Sequence, residues 1–210
     1  MVNKRNVMLI HGAWSSRNSF NYLSTMIDIN FGHIIKHTIF FEYDPIKESL
    51  ADIILRANRE LDDYTNTNTN TDTLVVGHSL GGLIALALSD HPNSYYTITM
   101  ASPLSGIKVE SLFQPFMYSR APVLYHVSPN SALVKQLHKK EYVKPVNCLI
   151  TTKGFNPLMI EKSDGVVSVA SQDTWLPTSG VATYVDCNHY DILQSEQAFQ
   201  SIKCALTLKK

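Results

Sequence analysis

Short apolar runs alternate with helical patterns along the 210-residue chain, and this alternation restricts the fold more than any other feature. The first run, residues 7–10, is apolar throughout, which is typical of a strand buried on both faces of a parallel sheet. Six strands are predicted, at residues 7–10, 34–41, 74–76, 95–100, 146–151 and 181–185. Strands that alternate with helices predict an α/β fold with a mainly parallel sheet of about six strands, covered by helices.

The helices are predicted from apolar residues that recur at helical spacing. They lie at residues 19–29, 45–61, 83–88, 130–140 and 195–206. Pro45 is placed in the first turn of its helix, where proline is tolerated. A chain of this length predicts a single domain over residues 1–210.

The alternation breaks between residues 102 and 145. One interpretation is a cap or lid over a site, at about residues 105–140, because long insertions in compact domains are usually functional. A pair of surface helices packed on the core is an equal alternative.

Charge and cysteine content exclude several classes of function. Eighteen basic residues balance eighteen acidic ones, so no overall field favours nucleic acid or an anionic membrane. Three cysteines without CxxC spacing argue against a disulfide framework and favour a reducing, cytoplasmic location. No 18-residue apolar run could form an integral membrane segment, and the first residues lack the apolar core of a signal peptide. Nothing in the sequence indicates an oligomeric state.

Motifs for metals and nucleotides are weak or missing. His33 and His37 are four residues apart, but the residues between them belong to a predicted strand and no HExxH accompanies them. The chain has no Walker loop and no GxGxxG sequence. We therefore expect no metal and no cofactor.

A G-x-S-x-G motif at residues 77–81 directly follows an apolar strand and directly precedes an apolar helix. This is the setting of a nucleophile elbow, in which a tight turn lifts the serine hydroxyl clear of the sheet. The glycines on either side let the neighbouring backbones pass closely. Ser79 is therefore the predicted nucleophile, and the alternative is a glycine-rich turn with an incidental serine.

Four histidines follow Ser79 along the chain, and each could supply the base that this serine needs. His189 follows the last predicted strand, at the carboxyl end where catalytic groups gather in open α/β sheets. His91 lies near the end of the helix after the motif, so it points away from the site. His126 lies in the interrupted segment, and His138 on a polar helix. We predict His189 as the base.

The acid is expected between the serine and the histidine, in the loop after the fifth strand. Asp164 lies there, before a Gly-Val-Val turn that could hold its carboxylate inward. Glu161 lies beside a lysine and is interpreted as a solvated pair, and Asp186 is too close in sequence to the histidine. Asp164 is the predicted acid, with helix capping as the alternative role.

An oxyanion hole needs two backbone N–H groups that point at the developing negative charge. Leu80 follows the serine at a helix N-terminus, where the helix dipole also favours an anion. Ala13 lies in the His-Gly-Ala-Trp segment after the first strand, at the position expected for the second donor. Further apolar side chains could form the substrate pocket, and they are Trp14, Phe113, Phe116, Met117 and Tyr118.

Together these segments resemble the α/β-hydrolase superfamily, and they look most like compact bacterial lipases and esterases. The segments are His11-Gly12-Ala13-Trp14, Gly77-His78-Ser79-Leu80-Gly81-Gly82, Ser163-Asp164-Gly165-Val166-Val167 and Asn188-His189. The resemblance extends from residue 7 to about residue 206. It implies a Ser79, Asp164 and His189 triad that cleaves a small-molecule or lipid ester through an acyl-enzyme. A thioesterase, an amidase, a peptidase or a non-catalytic binding protein remains an alternative, because one fold hosts many functions.

Overall fold

Six parallel strands form one sheet in the computed structural model, which describes residues 4–65, 71–107, 122–157 and 159–208. The strand order is β2-β1-β3-β4-β5-β6. The strands are β1 (Arg5–Ile10), β2 (Ile35–Phe41), β3 (Thr73–His78), β4 (Ser94–Met100), β5 (Val146–Thr151) and β6 (Gly180–Val185). The predicted α/β fold with a six-stranded parallel sheet is confirmed.

Helices connect the strands and cover the sheet. They are α1 (Asn21–Phe31), α2 (Leu50–Thr65), α3 (Leu80–Ala87), α4 (Ala132–Lys139), α5 (Val169–Asp173) and α6 (Glu196–Thr207). Short 3₁₀ turns lie at Arg17–Phe20, Pro122–Val127 and Asp191–Gln194. No helix in the described part of the chain has both the length and the apolar character needed to cross a membrane.

The two faces of the sheet bury alternate residues of the same strands. On β1, Met8 and Ile10 pack with α2 and α3, whereas Val7 and Leu9 pack with α1 and α6. All four side chains are at most 1% exposed. Burial on both faces explains why this strand is apolar throughout instead of alternating with polar residues.

All strands end at the same edge of the sheet, because every neighbouring pair is parallel. The register pairs Ile10 with Gly77, His78 with Met100, and Thr151 with Val185. The loops that follow these strands therefore emerge together, and this edge is where ligands bind in open α/β sheets.

The start of α2 differs from the prediction. The helix begins at Leu50, not at Pro45, because Asp44 turns the chain first. The Asp44 carboxylate accepts a hydrogen bond from the Ile46 N–H, and Ser49 Oγ accepts one from the Asp52 N–H. Ser49 is thus the residue that caps the helix.

The interrupted segment is only partly described. Phe113, Phe116, Met117 and Tyr118 lie outside the described residues. In its described part, α4 buries Leu137, and the preceding 3₁₀ turn buries Val127, in the main core. The cap over residues 105–140 stays a prediction.

Candidate active site

Ser79 occupies a strained turn between β3 and α3. Its φ is 54°, in the left-handed region that side chains other than glycine rarely adopt. The Ser79 N–H donates to the Met100 carbonyl at 2.8 Å, and its carbonyl accepts from the Gly82 N–H at 3.0 Å. The hydroxyl makes no capping hydrogen bond to α3. A strained residue held by its surroundings, whose hydroxyl forms no hydrogen bond within the described part of the chain, is typical of a functional site.

Close backbone contacts explain the two glycines of the motif. A Cβ on Gly77 would lie 2.1 Å from the Gly81 carbonyl oxygen, and a Cβ on Gly81 would lie 2.2 Å from the Ile10 carbonyl oxygen. The start of α3 therefore packs directly on β1 and β3, and only glycine fits at either position.

His189 and Asp164 form a buried pair at the same edge of the sheet. His189 Nδ1 lies 2.8 Å from Asp164 Oδ2, and the His189 N–H donates to the Asp164 carbonyl at 3.1 Å. The two residues are 3% and 1% exposed. Because a carboxylate oxygen accepts at Nδ1, that nitrogen carries the hydrogen, which leaves the Nε2 lone pair able to accept a proton.

Five hydrogen-bond donors fix the Asp164 carboxylate. Oδ1 accepts from the backbone N–H groups of Val166 and Val167, at 2.9 and 2.7 Å. Oδ2 accepts from His189, from the Thr151 hydroxyl at 2.6 Å and from Gln172 Nε2 at 3.2 Å. Burial alone raises the pKa of Asp164, but hydrogen bonds from His189, Thr151 and Val167, together with the attraction of the His189 charge, outweigh it, and the net pKa lies below the usual value. Asp164 is therefore anionic at neutral pH.

His78, beside the serine, holds the His189 loop. Its Nε2 lies 2.8 Å from the His189 carbonyl oxygen, and the two rings lie 4.8 Å apart. Burial, followed by the nearby His189, lowers the pKa of His78 to about 3. His78 therefore stays neutral and donates through Nε2. Nothing in the sequence indicates this contact, since the two residues are 111 positions apart.

A cavity of about 200 Å³ joins these elements. Ser79 and His189 both line it, although they form no hydrogen bond to each other among the described contacts. This bond is often long before a substrate binds. Of the other predicted site residues, Ala13, Leu80 and Trp14 line the same cavity. Lining residues that sequence reasoning missed are Ile107, Val127, Asn156, Val166 and Tyr190.

The other acidic and histidine residues that were considered for the predicted triad do not line the Ser79 cavity. The Asp186 side chain is 80% exposed and lies 3.9 Å from Lys153 Nζ. His91 lies 3.1 Å from Asp62, and His138 Nε2 lies 2.8 Å from the Leu104 carbonyl oxygen. Within the described ranges, no three His, Cys, Asp or Glu side chains are grouped so that they could hold a metal ion.

The parallel sheet, the serine turn after β3 and the histidine loop after β6 define an α/β-hydrolase fold. Solved structures share this fold over nearly the whole chain. Bacillus licheniformis lipase BlEst2 in its mature form is 16% identical, with a TM-score of 0.73 over 98% of this chain and 93% of that one. Est1E from Butyrivibrio proteoclasticus is 15% identical, with a TM-score of 0.62 over 98% and 88%. The search of the curated proteins gave no match.

A family model, described as "Putative esterase", matches residues 54–185, which is well over half of the chain. The chain therefore belongs to this esterase family. This membership supports hydrolysis of carboxylic esters as the activity of the chain. The resemblance inferred from the sequence therefore extends from the fold to the reaction.

Proposed function

We propose that this esterase is a serine hydrolase, with Ser79 as nucleophile, His189 as base and Asp164 as the acid that orients the base. One observation carries the proposal. Ser79 lies in a strained turn, and its hydroxyl makes no capping hydrogen bond to α3. It lines the same cavity as His189, whose Nδ1 is held by the buried Asp164 carboxylate. This is the arrangement of roles that activates a weak nucleophile.

Acylation begins when His189 Nε2 takes the proton of the Ser79 hydroxyl, whose oxygen attacks the ester carbonyl carbon. The carbonyl oxygen becomes negative, and the N–H groups of Ala13 and Leu80 stabilise it. Leu80 is the first residue of α3, so the positive end of the helix dipole adds to its effect. When the tetrahedral intermediate collapses, the alcohol takes the proton from Nε2 and leaves an acyl group on Ser79.

Deacylation repeats the same chemical steps with water in place of the serine hydroxyl. His189 Nε2 takes a proton from water, which attacks the acyl carbon, and then returns the proton to Ser79 as the carboxylic acid leaves. Each half of the reaction forms an imidazolium that faces the Asp164 carboxylate. The five donors around the Asp164 carboxylate keep it in place for this role.

The size and lining of the cavity favour a small apolar group next to Ser79. A volume of about 200 Å³ is below the ~300–1,000 Å³ of ordinary small-ligand sites. We also propose that residues 105–140 cap the site, because Ile107 and Val127 line this cavity from the described part of that segment.

The three thiols Cys148, Cys187 and Cys204 are unpaired, which favours a reducing, cytoplasmic location.

Replacement of the nucleophile tests the proposal. Ser79→Ala should lower the turnover of p-nitrophenyl acetate by roughly 10⁴–10⁶, while the melting temperature stays close to that of the parent protein. A fluorophosphonate probe should label the parent protein on Ser79 and leave the variant unlabelled. Ser201→Ala, on α6, is the matched control and should keep both activity and labelling. Full activity of the Ser79 variant would show that another residue is the nucleophile.

A further inference from the structure

A second cavity of about 230 Å³ lies next to the one that contains Ser79. The two share Ile107, Val166 and Val167, so side chains of these residues lie between them. Neither Ser79 nor His189 lines the second cavity. It is therefore a space beside the reaction centre that the proposed chemistry leaves unused.

The second cavity offers a largely apolar surface. Besides the shared aliphatic residues, Pro129, Met159 and Ala170 line it. The lining also includes polar residues, among them Ser105 and Glu161. Two of its hydroxyls have partners, since Ser168 Oγ accepts from the Ser171 N–H at 3.1 Å and Ser171 Oγ donates to the Gly106 carbonyl. A hydrocarbon chain fits such a surface better than a charged group.

An open groove of about 480 Å³ also adjoins the Ser79 cavity. Gly165, Val166, His189 and Tyr190 line both. The rest of the groove includes the charged or polar side chains of Lys153, Asp186, Asn188 and Asp191, together with the exposed ring of Phe155. The groove thus adjoins the base, whereas the second cavity does not.

The reaction itself decides which part of an ester lies on which side. The oxygen of the alcohol must come within reach of His189 Nε2 to take its proton, so the alcohol lies on the His189 side. The acyl group stays bonded to Ser79 after the alcohol leaves, and it extends away from that side. We propose that the acyl chain passes Ile107 and Val166 into the second cavity, and that the alcohol lies in the groove beside His189. The substrate class is then an ester of an apolar acyl chain, longer than the Ser79 cavity alone can hold, with a polar alcohol.

This inference rests on the proposed function, and a variant that fills only the second cavity tests it. Ala170 lines that cavity but not the Ser79 cavity, and it is exposed on α5, so a larger side chain can be added there without disturbing the core. The measurement is kcat/KM for ethyl esters from acetate to decanoate, followed by acid release at constant pH. In the parent protein, each further CH₂ group that leaves water should raise kcat/KM up to roughly fourfold.

Ala170→Phe should lower the ratio of decanoate to acetate at least tenfold, and the ratio of octyl acetate to ethyl acetate should change less than twofold. Ala51→Phe, exposed on α2 and outside all three cavities, is the matched control and should keep both ratios. If Ala170→Phe does not fold, Ile107→Ala replaces it and should raise the decanoate ratio, because it widens the passage.

Two results would overturn the inference. One is a decanoate ratio unchanged by these substitutions, and the other is a fall in the octyl acetate ratio in place of the decanoate ratio. Neither result affects the proposed function, which depends on the loss of p-nitrophenyl acetate turnover in Ser79→Ala.

Discussion

The two oxygens of the Asp164 carboxylate have different surroundings, and the difference predicts what an amide would do there. Oδ1 accepts two backbone N–H groups, so only an oxygen is stable at that position. In Asp164→Asn, the amide oxygen therefore takes the place of Oδ1, and the NH₂ group faces His189 Nδ1. Nδ1 must then accept, which moves the imidazole hydrogen to Nε2 and leaves no lone pair for the Ser79 proton.

Asp164→Asn should accordingly lower kcat by roughly 10⁴, the scale measured when the histidine tautomer is wrong. Steady-state kinetics on p-nitrophenyl acetate, with melting temperature as the check on folding, measures the effect. Glu161→Gln and Asp186→Asn are the controls and should each change kcat far less, since both residues are exposed. A greater loss in either control would show that the wrong carboxylate has been assigned.

At the scale of elements, the turn between β3 and α3 depends on how closely α3 approaches β1. A Cβ on Gly81 would lie 2.2 Å from the Ile10 carbonyl oxygen, which is backbone inside the sheet and cannot move aside. Gly81→Ala should lower the free energy of unfolding by about 3 kcal/mol, at the upper end for overpacking. Gly12→Ala, whose Cβ would lie 3.0 Å from the Ser79 side chain, should cost only about 1 kcal/mol. Urea unfolding of both variants measures the ranking, and equal losses would contradict the close packing of α3 on β1.

The elements that the sequence predicts are those with a strong local pattern. The strands follow from apolar and β-branched runs, and the serine turn from glycines whose contacts leave no room for a side chain. The predicted start of α2 was wrong because Ile46 continues the apolar spacing of the helix. In the structure, Ile46 is 52% exposed and lies in the turn before the helix. The capping side chain of Ser49 was the local signal that could have corrected it.

Contacts between distant elements could not be predicted in this way. Thr151 is the last residue of β5, so the strand prediction was enough to place it at the edge of the site. Gln172 lies on the five-residue helix α5, and its side chain contacts Asp164 only because the chain folds back after the loop that contains this aspartate. No pattern in one sequence marks such a residue. The contact of His78 with His189 could not be predicted either, since it depends on where the loop after β6 lies in the folded chain.

At the scale of the whole molecule, the proposed site combines residues from loops that follow several strands of the sheet. The serine follows β3, the acid β5 and the histidine β6, and β4 lies between the first two. His78 ties the serine turn to the histidine loop through the His189 carbonyl. Folding therefore buries a neutral imidazole at the centre of the site, and this burial links the stability of the whole chain to pH.

The sign of the link follows from the pKa of His78, which is lowered from 6.5 to about 3 in the folded chain. Between these values the unfolded chain binds a proton at His78 that the folded chain does not. The contribution of His78 to stability is therefore complete above pH 6.5 and is lost as pH falls toward 3, by up to ~1.4 kcal/mol per pH unit. His11, His91 and Asp164 also have lowered pKa values, so they add to the loss in acid.

His78→Gln removes this titration while its amide can still donate to the His189 carbonyl. The free energy of unfolding, from urea titrations at pH 4, 5, 6 and 7, should fall less steeply with acid in the variant than in the parent protein. The difference in slope should approach ~1.4 kcal/mol per pH unit between pH 5 and 4, where the unfolded imidazole is protonated and the folded one is not. His33→Gln, at an exposed position, is the matched control. Equal slopes in the two variants would mean that His78 gains its proton in the folded chain as readily as in the unfolded one.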